Sequence, residues 1–97
     1  VRVLIVEDDV SLRKGLESAV RDLGHRVRSV GTAGQAARAI ESFDPEVLVV
    51  DVRLPDGDGI EVFRAARESS PERDGIVVTG QASVDSAVEA LRAGASD

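Results

Sequence analysis

Four side chains in this 97-residue chain have the types and positions to act together: Glu7, Asp8, Asp51 and Thr79. Glu7 and Asp8 follow the apolar run Val3-Leu4-Ile5-Val6. Asp51 follows Val47-Leu48-Val49-Val50, and Thr79 follows Ile76-Val77-Val78. Three carboxylates brought close repel one another and need a cation or a shared proton. Mg²⁺ suits such a set, because it takes a few carboxylate oxygens and keeps waters or phosphate oxygens as its remaining ligands. The metal would offset the charge of an incoming phosphoryl group. A carboxylate can then attack phosphorus to form an acyl phosphate, and a hydroxyl such as that of Thr79 can hydrogen-bond a phosphoryl oxygen. Gly80, beside Thr79, leaves room for the group to approach.

Taken singly, each residue has a plainer reading. An Asp ahead of a helix, such as Asp8 or Asp9, is often only an N-cap. The stretch from Asp51 to Gly59 could be an acidic turn or a calcium loop, although the calcium-loop spacing of alternate Asp/Asn and a distant Glu is absent. Thr79 alone reads as a strand-end hydroxyl. Chemistry follows only if the elements bring the residues together.

The three apolar runs read as strands buried on both faces. Arg26 to Val30 mixes apolar and charged residues, as expected of a sheet-edge strand. Between the strands lie four helical patterns. The first, from about Val10 to Leu23, carries Leu12, Leu16, Ala19, Val20 and Leu23 on one stripe and ends at Gly24. The second follows the capping box Thr32-Ala33-Gly34-Gln35, turns Ala36, Ala39, Ile40 and Phe43 inward, and stops at Asp44-Pro45. The third, from about Gly59 to Glu68, buries Ile60, Phe63 and Ala66. The fourth starts near Ser83, buries Val84, Ala87, Val88 and Leu91, and ends at Gly94. Asp51 to Asp58, rich in Asp, Gly and Pro, reads as a loop.

Strand and helix alternating in this way imply an α/β fold, a doubly wound parallel sheet with helices on both faces. Right-handed crossovers leave the strand order 2-1-3-4 as the best fit. In such sheets the ligand site lies at the carboxyl ends of the strands, near the point where strand order reverses. The first, third and fourth strands are neighbours there, so the three carboxylates and the hydroxyl should meet in one crevice.

Composition narrows the function further. Only Phe43 and Phe63 are aromatic, so the core must be built from Val, Leu, Ile and Ala. The net charge of -6 argues against direct nucleic-acid binding by this domain, since phosphate-binding surfaces are basic. The absence of Cys excludes disulfides, thiolate metal sites and a cysteine nucleophile. The apolar runs are far too short for a membrane span and no signal-peptide pattern opens the chain, so a cytoplasmic location is expected. His25, Arg53, Arg64 and Arg67 read as surface groups.

On Val3 to Asp9, Val49 to Gly59 and Val77 to Gly80 the chain resembles response-regulator receiver domains of bacterial two-component signalling. The pattern D-x-x-L-P-x-x-D-G from Asp51 to Gly59 is the most specific part, and the resemblance spans the whole chain. From Thr79 to Asp97 it looks most like receivers of transcriptional regulators, including those related to nitrogen-control activators. The resemblance implies a flavodoxin-like sheet of order 2-1-3-4-5, whose fifth strand and helix would follow Asp97. Residues 1–97 would then be one receiver domain, incomplete at its C-terminus. Asp51 would be the phosphoacceptor and Thr79 the switch hydroxyl. Glu7, Asp8, Asp51 and the backbone carbonyl of Arg53 would hold Mg²⁺, with Asp8 the chief ligand of the acidic pair. A sensor histidine kinase would donate the phosphoryl group, and an output domain or partner would read the state. The domain would be no enzyme in its own right, but would assist its own phosphoryl transfer and dephosphorylation.

Two departures from the family pattern stand out. Glu7 replaces the commoner Asp, and the family's Lys and aromatic switch residue fall beyond this chain. The only Lys is Lys14, on the polar side of the first helix. Asp51, the acidic pair and Thr79 argue against a pseudo-receiver that takes no phosphate, and the missing Lys leaves that reading open. A haloacid-dehalogenase-type phosphatase would need a second Asp two residues after the nucleophile, where this chain has Arg53. If the chain ends at Asp97, its fourth strand is an unprotected apolar edge and its first helix has an uncovered flank. Strand pairing, or exchange of elements between copies, through the fourth strand and helix is then expected.

Overall fold

Valine and isoleucine crowd the apolar runs, and their branched side chains suit a pleated surface packed on both sides. In the computed structural model of the protein, which describes residues 1–93 (with the backbone alone at 81–83), the first two runs form the middle of a parallel sheet and the third lies beside them. The elements are β1 (Arg2–Val6), α1 (Val10–Asp22), β2 (Arg26–Val30), α2 (Ala33–Phe43), β3 (Val47–Asp51), β4 (Arg53–Leu54), β5 (Gly57–Asp58), α3 (Gly59–Ser69), β6 (Asp74–Val78) and α4 (Gln81–Arg92). The main sheet has the order β2-β1-β3-β6, all parallel. This is the doubly wound order expected, with β6 as its fourth strand.

Alternation along β1 and β3 sends successive side chains to opposite faces. Val3, Ile5, Val47 and Val49 pack with Leu16 and Val20 of α1 and with Val84, Ala87 and Leu91 of α4. Leu4, Val6, Leu48 and Val50 pack on the other face with Ala36, Ala39 and Phe43 of α2 and Ala66 of α3. Between α1 and α4 an open groove remains, lined by Leu12, Gly15, Leu16, Val84 and Val88. Among the described residues β6 is an edge, with Val77 40 % exposed.

Several local features differ from expectation. The stretch after Asp51 is a small antiparallel hairpin rather than a plain loop, pairing Arg53 with Asp58 and Leu54 with Gly57. Pro55 suits its turn by presetting φ, and Leu54 anchors it in the α2–α3 core. Two-residue strands are too short to show any periodicity. Ile60 is 41 % exposed rather than buried. The inward stripe of α3 is Gly59, Val62, Phe63 and Ala66, and Ile60 lies about 100° off it. In the capping box, Thr32 Oγ1 accepts Gln35 N–H at 3.1 Å, but the Gln35 side chain reaches Gly31 N–H at 3.0 Å, one residue beyond Thr32. Helix α4 begins at Gln81 after Gly80, two residues earlier than the expected start near Ser83. Gly94 lies outside the described residues.

At the amino ends of the strands sits a buried arginine with no forewarning in the sequence pattern. Arg73 is 6 % exposed. Its guanidinium donates to Pro45 O at 3.0 Å, Ala66 O at 2.8 Å and Ser69 Oγ at 2.7 Å, and pairs with Asp44 at 2.6 Å. The rigid fork thus ties the end of α2 to the end of α3. Asp44 reaches this position in a left-handed conformation, φ 50°. Replacing Arg73 by Met should lower stability by about 2 kcal/mol, because Pro45 O would be buried without a donor. Urea unfolding checks this; an unchanged midpoint would show the network to be idle.

Candidate functional site

The crevice at the carboxyl ends of β1 and β3 is set by backbone pairing. Val6 registers with Val50 on one side and Val30 on the other. The ladder continues one step further, since Glu7 N–H donates to Val30 O at 3.0 Å. Glu7 is therefore held at the floor of the crevice, 2 % exposed. Its carboxylate accepts the N–H of Asp9 at 3.0 Å. Asp9 itself caps α1, taking Leu12 N–H at 3.0 Å. The two plain roles considered for the acidic run thus separate: Asp9 is the cap, and Asp8 remains with the crevice.

Asp51 ends β3, in register with Val78 of β6, so Thr79 follows the residue paired with Asp51. The Arg53 N–H donates to Asp51 Oδ1 at 3.0 Å and fixes the carboxylate's plane. One oxygen each from Glu7, Asp8 and Asp51 lies within 4.8 Å of the other two. An octahedral Mg²⁺ with oxygens at about 2.1 Å separates its ligands by about 3 to 4 Å, so this trio fits the ion with little closure. Hard carboxylate oxygens with no nitrogen or sulfur donor also suit Mg²⁺. Arg53 is exposed, on β4 directly beyond Asp51, and Thr79 is exposed at the rim.

Gly59 completes the back wall, a role the sequence did not reveal because Gly59 read only as the first residue of the third helix. Its N–H donates to Val52 O at 2.8 Å. A Cβ there would run into the Asp51 carbonyl oxygen and Val50 Cγ1. Only glycine lets α3 begin this close to the strand carrying Asp51. Asp58 caps the same helix, accepting Ile60 N–H at 2.7 Å.

With this geometry the known proteins can be compared. Residues 3–97 match the response regulator receiver domain family. The chain belongs to that family. This receiver domain is 36% identical over 97 residues to the transcriptional regulatory protein PhoP of Escherichia coli K12, covering 100% of this chain and 44% of that protein. It is 36% identical over 95 residues to the DNA-binding transcriptional regulator NtrC of Proteus hauseri, covering 98% of this chain and 20% of that protein. It thus spans less than half the length of these curated relatives. Among solved structures, a CheY-like receiver domain from Methanospirillum hungatei superposes with a TM-score of 0.77 at 33% identity, covering 96% of this chain and 74% of that one. The non-phosphorylated HemR receiver domain of Leptospira biflexa does so with 0.75 at 26%, covering 96% and 75%. Membership sets the phosphatase reading aside. No helix among the described residues is long and apolar enough to cross a membrane.

In the receiver domain's acidic crevice Glu7 carries the electrostatic cost. Burial raises its pKa most, and Asp51 and Asp8 raise it further, against the opposing Asp9 N–H; the carboxyl is pushed up to about 7. An acid whose folded pKa exceeds its unfolded value favours the fold in its protonated form. Without a divalent cation, that contribution is complete below about 4.5 and is lost as pH rises through about 7. Glu7→Gln removes the titration. At pH 8 the metal-free variant should therefore be more stable than the metal-free wild type, by on the order of 2 kcal/mol. Urea unfolding at pH 5 and pH 8 checks the sign, and a variant less stable at pH 8 would contradict it.

Proposed function

We propose that this receiver domain is a phosphoacceptor switch of two-component signalling in which Asp51 takes the phosphoryl group. The observation that carries the reading is the meeting of Glu7, Asp8 and Asp51 in one crevice, with Thr79 at the end of the adjacent strand. A phosphohistidine on a sensor histidine kinase is the donor. An Asp51 carboxylate oxygen attacks phosphorus, the P–N bond breaks, and the imidazole leaves with its electron pair, giving an aspartyl phosphate. Mg²⁺, held by Glu7, Asp8, Asp51 and the Arg53 backbone carbonyl, would neutralise charge on the phosphoryl oxygens. The Thr79 hydroxyl then hydrogen-bonds a phosphoryl oxygen and makes the modification legible at the rim.

The domain is a signalling element rather than an enzyme acting on other molecules, and it assists its own phosphorylation and dephosphorylation. Its curated relatives are transcriptional regulators, so the state is read by an output domain or partner in the cytoplasm. The exposed edge of β6, with α4 beside it, is where another strand or a second copy would pair.

Two measurements test the assignment. Asp51→Asn should abolish acid-labile phosphorylation from acetyl phosphate, because an amide is a far poorer nucleophile; undiminished labelling would remove Asp51 from the role. Asp8→Ala should weaken Mg²⁺ binding more than any other single change outside Asp51. An unchanged Mg²⁺ titration in that variant would refute the acidic-pair assignment.

A further inference from the structure

The hairpin that follows Asp51 reaches across to a helix far from it in sequence. Asp56, at its turn, accepts Ala33 N–H at Oδ1, 2.7 Å, and Gly34 N–H at Oδ2, 3.0 Å. Ala33 and Gly34 open α2, and amide groups in a first turn have no acceptor within their own helix. Thr32 satisfies the next one, from Gln35. The first turn of α2 is therefore capped from two sources, one adjacent in sequence and one more than 20 residues away. The positive end of the helix favours a carboxylate there, and the Ala33 N–H, followed by that of Gly34, holds the Asp56 carboxyl below its ordinary range. The surfaces also meet closely. A Cβ on Gly57 would stand 3.2 Å from Ala33 Cβ, and one on Gly34 would stand 3.4 Å from Asp56 Oδ2.

This clamp matters because the hairpin has little rigidity of its own. It consists of two residue pairs, fewer than an isolated hairpin needs to be stable. Leu54 anchors one side in the core, and Gly59 seats its far end against Asp51. The turn between them is held by Asp56. Within the same hairpin lies Arg53, whose N–H binds Asp51 Oδ1 and whose carbonyl is assigned to the cation. Slack in the turn would act directly on both groups. Both Asp56 oxygens are engaged by α2, so Asp56 acts on the site through the loop.

We infer that Asp56 is a positioning residue, which fastens the β4–β5 turn to the amino end of α2 and so holds Arg53 and Asp51 in the arrangement that takes a cation and a phosphoryl group. The inference rests on the reading of Asp51 as the phosphoacceptor. It carries a corollary: binding at Asp51 is felt at the first turn of α2, which contributes no ligand.

The test compares wild type, Asp56→Ala, Asp56→Asn and Thr32→Ala. Each is titrated with Mg²⁺ while the amide resonances of Ala33 and Gly34 are followed, and the initial rate of phosphorylation by acetyl phosphate is measured. Asp56→Ala should raise the Mg²⁺ Kd by about tenfold, the scale of lost outer-shell support at metal sites. Labelling should slow in step, and the Mg²⁺-induced shifts at Ala33 and Gly34 should vanish. Asp56→Asn should fall between, because its amide keeps one acceptor oxygen. Thr32→Ala weakens the other cap of the same turn, so it should lower stability and leave the Mg²⁺ Kd unchanged. Wild-type affinity and rate in Asp56→Ala would overturn the inference. So would an equal loss in Thr32→Ala, which would make Asp56 a helix cap and nothing more. If Asp56→Ala fails to fold, Asp56→Asn decides by the same criteria. If wild type neither binds Mg²⁺ nor takes phosphate, the phosphoacceptor reading falls and the inference with it. If wild type does both and the Asp56 variants match it, only the inference falls.

Discussion

Parallel pairing of β1 with β3 is the constraint on which the rest of this molecule depends. The register Val6 to Val50 ends both strands at the same level, so the next residues, Glu7 and Asp51, must face each other. Two strands buried on both faces cannot slip to relieve the repulsion, because a one-residue shift would turn every core side chain to the wrong face. The core thus holds like charges together. Burial first, and then Asp51 and Asp8, raise the pKa of Glu7, and a cation in the crevice would offset the like charge.

Around this crevice the backbone sorts the carboxylates. Asp9, Asp58 and Asp56 each accept amide N–H groups at the start of a helix, where negative charge is stabilised. Glu7, Asp8 and Asp51 instead face one another. The same residue types, a few positions apart, therefore do opposite things. Three complete the helices, and three form a cluster of like charge that could hold a cation. Gly59 allows both sets to coexist, since it brings the start of α3 flush against the carbonyl of Asp51.

At the opposite end of the sheet the buried side chain is Arg73. Arg73 ties the ends of α2 and α3 together through Pro45 O, Ala66 O, Ser69 Oγ and Asp44.

The sequence alone was enough to determine the strand order, the convergence of Glu7, Asp8 and Asp51 and the helix-ending role of Gly24, because each rests on local rules. Continuous apolar runs mark buried strands, helical spacing marks the inward stripes, and acidic residues at strand ends fall at one edge of a parallel sheet. The D-x-x-L-P-x-x-D-G pattern added the family, though not the shape of its own segment. Only the tertiary structure decided which acidic residue caps a helix and which faces the crevice. It alone showed that Asp56 reaches Ala33 and Gly34, that Arg73 is buried, that Ile60 is not, and that Gly59 must lack a side chain. The physical reason is common to all of these. A hydrogen bond between residues 22 or 28 positions apart, or a backbone approach with no room for a Cβ, leaves no periodic trace along the chain. It exists only once the packed elements have set the distance.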